Sequence, residues 1–210
     1  MTSTKLGFDS ANTSFIAISN QSLPEQIENP VTGDRMTILC STEDSHGKSF
    51  KAQFNLPPGS NGSPLHYHNH LTETFEVLSG ALEMEVGGKG NIKILRPGEI
   101  VYVPAGVHHS FRNTSDEWVT FVSEVRPAGE FEQFIRAMYG LAIDAKVNKE
   151  GMPTNLLQFA LVIQKADLVL VDLPLFVQKL IIGTLAQIAR LLGVERSLVK
   201  YWKQAEQKEA

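Results

Sequence analysis

The 210-residue chain has a single cysteine, Cys40, so no internal disulfide and no cysteine-based metal cluster can form. Neither sign of charge dominates. The 19 Lys and Arg stand against 23 Asp and Glu, a formal net charge of -4, which argues against a broad nucleic-acid-binding surface. The first twenty residues hold Lys5 and scattered Ser, Thr and Asn but lack the apolar run of a secretory signal, so a cytoplasmic protein is expected. There is no internal repeat and no low-complexity segment. The long apolar stretch Leu173–Gly193 contains Gln178, Lys179, Gln187 and Arg190. A central Lys or Arg costs about 2.5–3.5 kcal/mol on membrane insertion. No membrane span is therefore expected, and a helix packed on the rest of the molecule is.

What is present reads as β structure followed by α structure. Most of the 16 glycines and 10 prolines fall before residue 130. Between Arg35 and Val125, short apolar or alternating runs such as Phe50–Leu56, Thr72–Leu78 and Trp118–Val125 are separated by turn residues, the pattern of a sandwich or barrel. Asn29–Gly33 reads as a turn, Arg96–Glu99 as a type II turn, and Val103–Gly106 as a type I turn with Pro104 at its second position. After Pro127 the apolar period becomes helical, over Glu130–Ala142, from Pro153 through Leu170, and from Pro174 to Leu192 with a stop at Gly193. A last charged helix is expected over Ser197–Lys208. The organisation that follows is an N-terminal arm over 1–29, a β-barrel over 30–127 and a C-terminal helical extension over 128–210.

Chemistry concentrates in His66-Tyr67-His68, in Glu73, and in Gly98-x5-Pro104-x-Gly106-x2-His109-x3-Asn113. Two histidines at alternate strand positions share a face, so both imidazoles reach one point. Glu73 lies an odd number of residues from His68. On one unbroken strand it would face away and His70 would take its place, so a break near Asn69–Leu71 is needed for Glu73 to join. His108, adjacent to His109, would face away.

With these residues the chain resembles the cupin superfamily, whose motifs are G-x5-HxH-x3,4-E-x6-G and G-x5-PxG-x2-H-x3-N. The second matches at every fixed position. The first matches from His66 to Gly80 and departs at its opening glycine, where Ser60 stands between Gly59 and Gly62. The resemblance implies a mainly β fold, a single jelly-roll (double-stranded β-helix) barrel, here with a helical C-terminal extension. It implies one divalent metal held by His66, His68, Glu73 and His109. Three imidazoles and a carboxylate suit Fe, Mn, Ni, Co or Zn and do not choose among them. Four protein ligands would leave one or two coordination positions open, as a catalytic metal needs.

Phe75 and Val77, in step with Glu73, and Phe111, in step with His109, are candidates for an apolar pocket around the metal, although each is equally at home in a barrel core. Tyr102 is a candidate acid or base, and parity turns Glu76 outward. Two function classes follow. One is a metal-dependent oxygenase acting on a small aromatic or enolisable substrate. The other is a small-molecule-binding or regulatory protein without catalysis. Leu185–Trp202 has the spacing of a helix-turn-helix through Ala189, Gly193, Val199 and Trp202, with Arg196, Lys200 and Lys203 free to meet phosphates. An apolar helix followed by a polar tail is the plainer reading, and nucleic acid is not the expected partner. A homodimer is expected, with Leu156–Leu170 and Leu175–Leu192 burying Phe176, Leu180 and Leu191 against the barrel or a second subunit.

Overall fold

A computed structural model describes residues 26–171 and 174–202. Strands β1 (Gln26–Glu28), β2 (Arg35–Cys40), β3 (Phe50–Leu56), β4 (His66–His68), β5 (Thr72–Ser79), β6 (Leu82–Val86), β7 (Ile92–Leu95), β8 (Ile100–Val103), β9 (His109–Arg112) and β10 (Val119–Arg126) come first. Helices α1 (Phe131–Ile143) and α2 (Leu156–Lys165), strand β11 (Leu168–Leu170), helix α3 (Leu175–Leu191), a 3-10 turn (Val194–Ser197) and helix α4 (Val199–Trp202) follow. The strands make two antiparallel sheets, ordered β1-β2-β3-β10-β5-β8 and β11-β4-β9-β6-β7. This is the expected jelly-roll barrel, and among the described residues the helices all follow residue 130. Residues 1–25 of the arm expected over 1–29, and residues 203–208 of the helix expected over Ser197–Lys208, lie outside the described residues, while Gln26–Glu28 of the arm pair with β2.

Period-2 patterning builds the barrel core. β3 alternates strictly between buried and half-buried positions, and Phe54 stacks on Phe121 of β10 at 5.4 Å. Phe121 in turn meets Phe75 and Phe111 at 6.0 and 5.1 Å. Burial of such side chains is the main stabilising term, about 25 cal/mol per Å² of apolar surface. The first motif's missing glycine has a replacement. Gly62, at φ +58°, lies so close to β9 that a Cβ there would come within 1.9 Å of the Phe111 carbonyl oxygen. The close approach of this loop to β9 thus depends on Gly62, not on position 60. The buried Asn113 closes the same corner, donating to the Leu56, Pro57 and Glu117 carbonyls at 3.2, 2.9 and 2.7 Å.

Several sequence expectations need correction. The helix expected from Pro153 through Leu170 is shorter. Asn155 caps α2 by accepting from the Leu157 and Gln158 amides, and the helix stops at Lys165. Asp167 then adopts a left-handed φ of 49° and Leu168–Leu170 run as a strand antiparallel to β4. The physical reason is the otherwise open edge of β4, whose backbone groups take these as partners. The turn after β8 is not type I from Val103. Its hydrogen bond runs from the Val107 amide to the Pro104 carbonyl at 3.2 Å, which places Gly106 third in the turn at φ +79°. Tyr102 is exposed on β8, away from the barrel interior. In the Leu185–Trp202 segment the buried anchor is Leu198, not Val199, which is exposed; α4 packs on α1, with Tyr201 against Gly140. Lys200 is tied to Asp144. Among the described residues no helix is long and apolar enough to cross a membrane. The outer side of α3 is bare within one chain. Phe176, Leu180 and Leu191 are 74%, 68% and 86% exposed, so of the two expected covers, barrel or second subunit, the barrel is not the one.

Candidate metal centre and cavity

The parity problem at Glu73 resolves because the chain changes sheets. β4 belongs to one sheet and β5 to the other, and residues 69–71 cross between them. Glu73 therefore starts a new inward series with Phe75 and Val77, while His70 turns out to solvent and pairs with Asp167 at 3.2 Å. His66 and His68 point inward from β4 and His109 from β9, where it sits opposite His66. His108 faces the other way and stacks on Tyr67 at 5.3 Å.

The four side chains are buried, and one potential ligand atom from each lies within 4.8 Å of every other. Their orientation is fixed from behind. His66 Nδ1 is 2.8 Å from the Pro64 carbonyl oxygen, His68 Nδ1 2.9 Å from that of Ala166, and His109 Nδ1 3.0 Å from that of Val107. A carbonyl only accepts, so each Nδ1 carries a hydrogen, and each ring in its neutral form turns the Nε2 lone pair to the centre. Ser123 on β10 donates its hydroxyl to Glu73 Oε1 at 2.6 Å, leaving Oε2 directed at the imidazoles, 3.1 Å from His109 Nε2 and 3.5 Å from His68 Nε2. His68 Nε2 is buried and forms no hydrogen bond.

Burial, then repulsion from His109 and His68, pushes the His66 pKa down to about 3, so this ring is neutral at physiological pH. Burial works against the charged form of His68, but the Glu73 carboxylate outweighs it and raises the pKa. Burial likewise works against ionised Glu73, yet the facing His109 and His68 rings hold it well below the usual carboxylate range. An ionised carboxylate amid lone pairs about 3 Å apart is a set of acceptors lacking a positive charge at its centre. Spacings of 3.1 and 3.5 Å suit neighbouring ligands of an ion bound at about 2.0–2.2 Å. The group is thus able to hold a divalent ion.

His66 and Glu73 of this centre, with Ser123, line a cavity of about 530 Å³, within the range of small-molecule sites. The barrel contributes Phe54, Phe111 and Phe121, and the helical extension contributes Phe131, Phe134 and Phe159. Phe75 and Val77, expected as pocket walls, are instead wholly buried core beneath it, and only Phe111 of the three candidates lines the space. Away from the centre the wall includes Tyr139, whose hydroxyl donates to Asp34. Burial and the Asp34 carboxylate raise that phenol well above its ordinary pKa.

Sequence reasoning missed Ser123, the Ala166 carbonyl and the roof from α1 and α2. Ser123 was accessible, since it alternates with Phe121 and Val125 on the inward face of β10. The Ala166 contact was not, because it spans 98 residues through backbone atoms.

Residues 52–123 match the cupin domain family. Over 108 residues the chain is 32% identical to quercetin 2,3-dioxygenase of Bacillus subtilis (strain 168), covering 51% of this chain and 31% of that protein. Over 95 residues it is 30% identical to the polyketide synthase CurC of Streptomyces cyaneus, covering 45% and 60%. The chain therefore spans less than two thirds of either curated relative. Among solved structures, a predicted oxalate decarboxylase of Thermotoga maritima is 28% identical with a TM-score of 0.43, covering 52% of this chain and 96% of that one.

Proposed function

Residues 52–123 are a cupin domain, and from that premise we propose that the protein is a metal-dependent oxygenase acting on a small aromatic or enolisable substrate. Its metal ligands are Nε2 of His66, His68 and His109 and a carboxylate oxygen of Glu73. The observation that carries the reading is the pinning of all three Nδ1 atoms on backbone carbonyls, which aims three lone pairs and one carboxylate at the floor of an aromatic cavity. When bound, a redox-active divalent ion supplies oxygen chemistry and a positive charge to which substrate oxygens chelate.

The chain's own residues do the rest. Glu73 balances the charge of the ion within a buried site, where an uncompensated dication is costly. Ser123 holds the Glu73 carboxylate in one rotamer. The phenylalanine walls favour a flat apolar body and exclude water from the reacting face. The likeness to quercetin 2,3-dioxygenase supports a substrate with neighbouring hydroxyl and carbonyl oxygens on an aromatic frame.

The test is elemental analysis of untagged full-length protein, followed by oxygen uptake with hydroxylated aromatic ketones. Bound iron, nickel, manganese or cobalt with ligand-dependent oxygen uptake is expected. A protein that retains no metal yet binds such compounds with unchanged oxygen would move the assignment to a non-catalytic binding protein.

A further inference from the structure

Helix α3 is buried on one side only. Gln178, Ala186 and Ala189 face inward, and Gln178 bonds both backbone groups of Leu170, at 3.0 Å from the amide and 2.6 Å from the carbonyl. The opposite side is apolar and bare. Phe176, Leu180 and Leu192 are 74%, 68% and 68% exposed, and Ile181, Ile188 and Leu191 are 52%, 40% and 86% exposed. These six side chains leave on the order of 600 Å² of apolar surface open, the upper end of what a monomer tolerates and near the share one partner brings to a standard interface.

The pattern along this face is symmetric about its midpoint. Phe176, Leu180, Thr184, Ile188 and Leu192 recur every fourth residue, and the two outer pairs are equidistant from Thr184. Rows of this spacing form the ridges by which helices pack on one another. Thr184, with Gly183 beside it, keeps the centre of the ridge low, where a crossing helix comes closest. No charged residue lies on the ridge. Lys179 is off it, and Arg190 is engaged with Gln164 at 2.9 Å. A membrane-binding face carries a row of basic side chains along its polar edge, whereas this helix has only the exposed Lys179 and the engaged Arg190 beside apolar surface that complements itself. On the barrel, the exposed Ile92 and Ile94 of β7 and Ile100 and Tyr102 of β8 are interrupted or flanked by the exposed Lys93 and Glu99.

We propose that α3 is an isologous dimer interface, in which a second copy of the chain lays its own α3 antiparallel across the first with the two-fold axis at Thr184. Leu180 then packs on the partner's Ile188 and Phe176 lies toward the partner's Leu192, each contact occurring twice as two-fold symmetry requires. The inference is independent of the metal assignment.

The test uses the full chain and two charge changes whose positions meet only in this register. Sedimentation equilibrium of the unaltered protein at micromolar concentration should give twice the 23.2 kDa chain mass. Leu180→Lys and Ile188→Glu, each alone, should weaken the dimer by about 100-fold or more, since each buries an unpaired charge. The double variant should recover the dimer because the two charges face each other across the axis. Circular dichroism confirms that all three variants are folded. A monomeric unaltered protein overturns the proposal. So do single variants that remain dimeric, a folded double variant that remains monomeric, or dissociation by Tyr102→Lys. Monomeric protein that sediments with anionic vesicles through a Leu180-dependent contact overturns it in favour of a membrane surface.

Discussion

At the scale of single residues, the centre depends on opposed effects of burial and charge. Glu73→Ala or His68→Ala removes a ligand and should lower metal affinity by more than about 100-fold, beyond what loss of a supporting contact costs. The barrel should stay folded, because its aromatic core lies outside the centre. Metal content after dialysis, with circular dichroism as control, checks this. Ser123→Ala, which only frees the Glu73 carboxylate, should cost about 10-fold to 100-fold in affinity. The pH dependence has a definite sign. His66 is neutral when folded until about pH 3, while the unfolded chain takes up that proton near 6.5. Below 6.5 the unfolded state therefore binds more protons, and metal-free protein loses stability on acidification by up to about 1.4 kcal/mol per pH unit from this group. His68 has the opposite sign, since its raised pKa adds stability that is complete below 6.5 and is lost as pH rises through the folded value. Glu73 adds stability above 4.5 that is lost only as pH falls through its lowered value. Urea unfolding of metal-free protein from pH 7.5 to 5 should show a steeper acid loss in the unaltered chain than in His66→Phe. Equal slopes would remove His66 as the cause.

At the scale of elements, the short strand β11 links the extension to the metal floor. It pairs residue by residue with β4, setting Leu168 against His68 and Leu170 against His66. The preceding Ala166 carbonyl accepts from His68, and Asp167 accepts from the Asn69 side chain and the His70 amide. Asp167→Ala cuts these two ties and the His70 ring pairing without touching a proposed ligand. It should lower metal affinity by about 10-fold, the lower end for contacts behind a ligand. The readout is titration with Co(II), whose visible spectrum reports ligand geometry. An unaltered spectrum and affinity would show that the strand pairing holds His68 in place without Asp167.

For the whole molecule, metal binding adds to stability by mass action. Free metal at 100 times its dissociation constant adds about 2.7 kcal/mol, which for a chain of this size raises the thermal midpoint by about 5–10 °C. A differential scan with and without chelator measures this, and His68→Ala should show no such shift. The two apolar clusters give the molecule its organisation. One fills the barrel and reaches Phe131 and Tyr139 of α1, and the other joins α1, α2 and α3. The cavity lies where barrel and extension meet, and both parts of the chain line it.

Local pattern alone was sufficient for much of this. The strands of the barrel followed from alternation between turn residues, because a half-buried strand must put every second side chain in the core. Strand parity alone put His66 and His68 on one face, and Glu73 and His109 joined them through the resemblance of the two motifs to the cupin pattern. Three features were decided only by tertiary structure. The crossing between sheets that admits Glu73 and expels His70 depends on which sheet each strand joins. The strand at Leu168–Leu170 reads as helix in isolation, and it exists because β4 has an edge to satisfy. The bare face of α3 could not be separated from its buried face, since both are apolar and only the packing of α2 decides which one is covered. In each case the deciding energy comes from residues distant in sequence, which no local period encodes.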